Sequence, residues 1–169
     1  MQLSSHFANL LSEFTIRDCT LRNRIVSTGH HTHLADSAPG PELVAYHEAR
    51  AKGGAGLIIS EVVAVHDSAG YSGNLLQVGN ETELEAYGSL VAAVHKHGAR
   101  IFAQLFHPGR EILSSTHGML PIAWAPSSVP NERFHIMTKS MPVLLIEDVI
   151  ESFGNAAATL STAGFDGFD

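Results

Sequence analysis

Short apolar runs alternate with longer amphipathic stretches along this chain, and a glycine closes each amphipathic stretch. Leu57-Ile58-Ile59-Ser60 and Ile101-Phe102-Ala103-Gln104-Leu105 are almost wholly apolar, the pattern of parallel strands covered on both faces. Ile25-Val26-Ser27 is a shorter, β-branched candidate, and Phe165-Asp166-Gly167-Phe168-Asp169 opens a fourth strand. Between them the spacing predicts helices over 42–52, 81–97 and 147–163. Leu43, Val44 and Ala51 lie on the first, and Leu84, Leu90, Val91 and Val94 on the second, with Asn80 as its N-cap. Val149, Ile150, Phe153, Ala157 and Leu160 recur on the third. Gly53-Gly54, Gly98 and Gly164 end them in turn. Residues 10–16 read as a lead-in, 21–24 as a polar approach to the first strand, and 66–79 as a glycine-rich loop. Residues 111–142, with Pro121, Pro126, Pro130 and Pro142, read as irregular.

Strand, polar loop, amphipathic helix and glycine therefore repeat, which implies parallel strands joined by right-handed crossovers. A doubly wound sheet and a (β/α)8 barrel both satisfy that order. No G-x-G-x-x-G follows the first strand, which favours the barrel. A complete barrel runs to about 250 residues and eight strands, whereas this chain of 169 residues reaches its fourth. The expected fold is α/β: the amino-terminal half of a TIM barrel in one domain over 1–169, with about four parallel strands and three long helices. An open half-barrel would leave an apolar sheet edge, so self-association is expected of the isolated chain.

Composition narrows the partners. Ten Lys and Arg against seventeen Asp and Glu give a formal charge of −7, which argues against a nucleic-acid surface. No apolar run approaches the roughly 18 residues of a membrane span, and the first residues lack the basic start of a secretory signal. Cys19 is the only cysteine and cannot form an internal disulfide; with no signal, this fits a cytoplasmic protein.

Candidate chemistry gathers at the strand ends, where barrel sites are built. Gln104 is a primary amide inside an apolar strand and must find partners. Its carbonyl and NH2 offer an acceptor and a donor side by side, the pattern that reads the edge of a planar heterocycle; a bond to neighbouring backbone would also satisfy it. Thr28-Gly29-His30-His31-Thr32-His33 leaves the first strand as a polar loop. His31 and His33, one residue apart, also have the spacing of the first ligands of a metal-dependent amidohydrolase, with His66 or His107 as further candidates. Solvated loop histidines without a ligand are the third possibility.

Ordered motifs favour one of these. Leu21-Arg22-Asn23-Arg24-Ile25-Val26, Tyr46-His47-Glu48-Ala49-Arg50-Ala51-Lys52-Gly53-Gly54-Ala55-Gly56-Leu57-Ile58-Ile59, and Gln104-Leu105-Phe106-His107-Pro108-Gly109-Arg110 resemble the old yellow enzyme family of NADH:flavin oxidoreductases. Ala125-Pro126-Ser127 and Ala163-Gly164-Phe165-Asp166-Gly167 follow in the same order. His31-Thr32 is similar to the large 2,4-dienoyl-CoA reductases. The histidine loop and Asn131-Glu132-Arg133-Phe134 resemble the trimethylamine dehydrogenase group. The resemblance implies FMN at the barrel mouth, with Thr28, Gly29, His30 and His31 along the flavin, Val62 against its rings, Gln104 at its pyrimidine edge and His33 toward a small-molecule substrate. It implies NAD(P)H or an amine as donor and an enoyl, enone or N-methylated substrate. Catalytic residues are expected after Asp169, and any iron–sulfur cluster or FAD in parts beyond this chain; no resident metal is expected. Many family members carry Pro where this chain has Gly29, and Thr or Cys where it has His31. His107 and Arg110 are expected to shape the turn behind the site. The competing readings are the amidohydrolase-like barrel and an inactive fragment.

Overall fold

In the computed structural model, which describes residues 7–70, 74–78, 81–112 and 122–169, an antiparallel hairpin of β1 (Phe14–Ile16) and β2 (Cys19–Leu21) comes first. The lead-in read from sequence thus contains a strand. The parallel elements follow: β3 (Val26–Ser27), α1 (Pro41–Lys52), β4 (Leu57–Ala64), a short β5 (Leu76–Gln77), α2 (Glu81–His95) and β6 (Arg100–Phe106). A small parallel pair of β7 (Trp124–Ala125) and β8 (Lys139–Ser140) precedes α3 (Val143–Thr162) and β9 (Gly167–Phe168).

The main sheet has the order β3-β4-β6-β9, all parallel, with β5 added beside the end of β4. Neighbours in the sheet are consecutive strand–helix units in the chain, as in the staves of a barrel and unlike a doubly wound sheet, whose order reverses. The helices cover one face. Leu43 and Ala51 of α1, Tyr87, Leu90, Val91 and Val94 of α2, and Leu160 of α3 close over Ile58, Val63, Ile101 and Ala103 of the strands in one buried cluster.

The lower end is knitted by Arg22 and Asn23. The Arg22 guanidinium donates to the carbonyls of Ala51 (2.7 Å), Ala55 (2.8 Å) and His97 (2.5 Å). Ala51 O, in the last turn of α1, also accepts the Gly54 amide (3.1 Å), and Ala55 and His97 lie just past the ends of α1 and α2. Asn23 Nδ2 donates to Gly54 O, and a Cβ on Gly56 would stand 2.5 Å from Asn23 O, so the chain passes there only as glycine.

Several boundaries differ from the sequence reading. α3 begins at Val143 rather than 147, because the carbonyl of Pro142 accepts from the amides of Leu145 and Ile146 and starts the helix within an apolar run. Its buried residues are Ala156 and Leu160, while Ile150 is 66% exposed, since only the carboxyl-terminal half of α3 lies over the sheet core. The second strand runs on without a break to Ala64, and α2 stops at His95. The N-cap expected at Asn80 lies outside the described residues. Among the described residues no helix is long and apolar enough to cross a membrane.

Candidate functional site

Four strand ends meet at the upper rim, and their geometry follows from one irregularity. β4 pairs with β6 in register at Ile59–Phe102, then resumes at Val62–Gln104 with a residue to spare. Such a bulge re-aims the residues within it, here Ser60 and Glu61, both fully buried. The Ser60 carbonyl faces Gly29 on the loop after β3, and the Glu61 carboxylate turns to Thr32 on the same loop.

Gly29, Ser60, Val62 and Gln104 form a tight group. A Cβ built on Gly29 would stand 2.6 Å from Ser60 O and 2.9 Å from Gln104 Oε1, so the backbone of this loop lies directly against the Gln104 amide. Gln104 Nε2 donates to Asp169 Oδ2 at 2.8 Å, on the segment following β9. The amide therefore spans from the first stave to the fourth. It is half-buried rather than buried, because it projects from the face of the sheet that the helices leave open. Val62 packs against Ala64, Ala69 and Leu75 beside it. Thr28 is exposed at the start of the loop.

The three loop histidines divide. His30 turns toward α1, with Nδ1 on Thr28 O and Nε2 in a short hydrogen bond to the Tyr46 hydroxyl. Arg50 lies over the Tyr46 ring, with its guanidinium carbon 3.2 Å from the centroid. His31 and His33 stack on each other, with centroids 4.1 Å apart and planes at 27°. His31 Nε2 lies 2.7 Å from Asn74 O, and a nitrogen that donates to a carbonyl is not a metal ligand. Among the described residues no group of three His, Cys, Asp or Glu is placed to hold a metal ion.

A second polar chain runs behind the rim. The Gly109 amide donates to His107 Nδ1 (3.0 Å) and the Ser68 amide to His66 Nδ1 (3.0 Å), which leaves the ring protons on both Nε2 atoms. His107 Nε2 then donates to Ser68 Oγ (2.9 Å), Ser68 Oγ to His66 Nδ1 (2.7 Å), and His66 Nε2 to Asp148 Oδ2 (3.1 Å) on α3. Burial, and then the neighbouring His66, hold His107 below the usual histidine pKa. Arg110, by contrast, is exposed, and among the described residues its side chain pairs with Glu111 at 3.7 Å.

The sequence reading did not single out Glu61, Ser68, Asp148 or Asp169. Glu61 carried a visible signal, an acid inside the apolar run Leu57–Ala64, of the same kind that marked Gln104. The other three reach the site only through tertiary contacts.

Comparison with known proteins agrees with this geometry. A profile of the NADH:flavin oxidoreductase / NADH oxidase family matches residues 9–169. The chain is similar to an NADH oxidase of Thermoanaerobacter brockii (37% identity over 98% of this chain and 26% of that protein). It is also similar to an NADPH dehydrogenase of Bacillus velezensis (31% identity, 93% of this chain, 46% of that protein). Its backbone matches the structure of an old yellow enzyme homologue from Zymomonas mobilis with a TM-score of 0.82, at 26% identity over 95% of this chain and 47% of that one. The chain thus spans about a quarter to a half of the length of these relatives. Its four parallel staves and three helices are the amino-terminal half of a (β/α)8 barrel.

Proposed function

The chain belongs to the NADH:flavin oxidoreductase / NADH oxidase family, and on that premise we propose that the protein is an FMN-dependent oxidoreductase, with residues 1–169 forming the amino-terminal part of its flavin-binding barrel domain. The observation that carries this reading is the convergence at Gly29, where backbone, the Ser60 carbonyl and the Gln104 amide leave no room for a Cβ. That packing holds the loop after β3 directly against the Gln104 amide, so that a flat ring at the rim would meet loop backbone and amide together. FMN, when bound, supplies hydride acceptance and donation at its N5.

This chain's residues have binding and orienting roles. Gln104 presents Oε1 beside Gly29 and keeps Nε2 on Asp169; a primary amide so anchored offers an acceptor to one edge of a pyrimidine ring. Val62, one strand over and in register with Gln104, gives an apolar contact for the ring face. Thr28, Gly29, His30 and His31 supply the loop along the flavin, His30 chiefly through its backbone, since its ring is committed to Tyr46. His33, stacked on His31, faces the substrate side. The second Nε2–H of Gln104, donated to the pyrimidine edge, would favour negative charge there on reduction, so Gln104 tunes the potential.

The relatives' names support a nicotinamide donor, NADH in one and NADPH in the other. The acceptor is a small enoyl or enone compound; the likeness of the histidine loop to amine-oxidising relatives supports an N-methylated amine as the other substrate class. We place the protein in the cytoplasm. The test is the full-length protein: it purifies yellow or takes up added FMN, and Gln104→Leu weakens FMN binding about tenfold, the equivalent of ~1.4 kcal/mol, and shifts the flavin potential. Full-length protein that is colourless and takes up no FMN would overturn the proposal.

A further inference from the structure

We propose that Glu61 is the positioning residue for the His31–His33 pair and acts through Thr32. Glu61 is 1% exposed, in the bulge of β4. Its Oε2 receives both the Thr32 amide (2.8 Å) and the Thr32 hydroxyl (2.5 Å). Among the described residues its other oxygen, Oε1, has no hydrogen-bond partner. A buried carboxylate is costly unless its hydrogen bonds are strong, and every such bond made by this one goes to a single residue of the histidine loop.

The direction of the Thr32 proton is set locally. The Leu34 amide donates to Thr32 Oγ1 at 3.1 Å, so the hydroxyl hydrogen is free to point at Glu61. With Thr32 drawn inward to β4, its two neighbours emerge together, and their rings stack at 4.1 Å. The stack needs an unfavourable backbone: His33 has φ +61°, the left-handed region. Asn74 also holds this turn, through its carbonyl on His31 Nε2 (2.7 Å) and its side-chain amide on His33 O (3.5 Å). Glu61 is the only buried one of these partners. Releasing Thr32 lets His33 leave its left-handed turn and opens the stack.

The roles of His31 at the flavin and His33 at the substrate rest on the function proposed above; the positioning rests on these contacts alone. The experiment uses full-length protein labelled with 15N-histidine, with the two ring signals assigned from His31→Gln and His33→Gln. In Glu61→Gln both signals shift and the nuclear Overhauser contact between the rings is lost. Thr32→Val, which keeps the amide and deletes the hydroxyl, moves the same two signals in the same direction, and Thr32→Ser restores them. A merely structural role would instead lower stability equally in Thr32→Val and Thr32→Ser and leave the ring contact in place. Ring signals and contact unchanged in Glu61→Gln would overturn the proposal. Wild-type protein that takes up no FMN, yet shows the ring shifts in Glu61→Gln, supports the positioning while removing the flavin reading.

Discussion

The amide oxygen of Gln104 stands 2.9 Å from the point where Gly29 would carry a side chain, and the Ser60 carbonyl stands closer still, at 2.6 Å. No real Cβ tolerates the second distance, and a main-chain carbonyl fixed in the fully buried bulge of β4 cannot swing aside. Gly29→Ala must therefore push the loop off β4. Overpacking of this kind costs about 1–3 kcal/mol, and chemical denaturation should show that loss as a lower midpoint. The same displacement lifts the loop from Gln104, so FMN affinity should fall with it. A variant with wild-type midpoint and affinity would mean that the close approach has no role.

Arg22 ties two helix ends and the turn between them with one planar group. Its donors reach Ala51, Ala55 and His97 carbonyls on both sides of the entry to β4 and β6. Arg22→Ala removes the guanidinium donors from all three carbonyls, of which Ala51 O keeps the Gly54 amide, at about 3 kcal/mol. Arg22→Lys should recover only part of this, because an ammonium is a point donor and cannot match three carbonyls at once. Thermal unfolding of the two variants beside the wild type ranks them; equal stability of Arg22→Lys and wild type would show that charge at the helix ends, not geometry, is what counts.

How much of this was legible in the sequence depended on how far each feature is local. The second and third staves were legible as largely apolar runs, Leu57–Ala64 and Arg100–Phe106, and the short first and fourth by their place in the strand–helix–glycine repeat. The hairpin of β1 and β2 was not, since three-residue strands with mostly exposed side chains carry no period. Val143-Leu144-Leu145-Ile146 gave no helical stripe because its apolar residues are consecutive, and Val143 and Leu144 are largely exposed. Gln104 announced itself as a polar residue in an apolar strand; its partner Asp169, 65 residues away, could not. The tie of His66 to Asp148 spans 82 residues and exists only because α3 returns over the rim.

That rim chain makes a prediction about acid. Both imidazoles accept a backbone amide at Nδ1, so the relay requires them neutral. Protonating His107 at Nδ1 would set a ring N–H against the Gly109 N–H and cost that bond its acceptor. Its pKa in the fold lies below the unfolded value, through burial and the neighbouring His66, while Asp148 faces only the far nitrogen of His66. A depressed histidine stabilises the fold fully above the unfolded pKa, about 6.5, and loses that contribution as pH falls through the lower folded value. His107→Gln, whose carbonyl can receive Gly109 and whose amide can donate to Ser68, does not titrate. Its stability deficit against wild type should therefore be largest near pH 7.5 and shrink toward pH 5. A deficit that is constant or grows with acid would rule out a relay of neutral imidazoles.

His47 gives the strongest acid dependence. It sits on the inner face of α1, 3% exposed, with its ring edge-on to Tyr46 at 5.1 Å, and neither ring nitrogen has a partner among the described residues. Burial above all, then the Arg50 charge and the neighbouring His30, lower its pKa to about 4. Neutral in the fold and basic once unfolded, it favours unfolding as acid is added. Its contribution is intact above about pH 6.5 and is lost progressively toward pH 4, amounting to roughly 2 kcal/mol by pH 5. His47→Leu keeps similar volume, removes two unpaired polar atoms and cannot titrate. It should match or exceed wild-type stability at pH 8, where only the orphaned nitrogens differ, and exceed it by about 2 kcal/mol at pH 5. Denaturant midpoints across that range give the slope directly. Parallel curves for the two proteins would mean that His47 is already charged in the fold, and that a carboxylate from elsewhere in the protein reaches it.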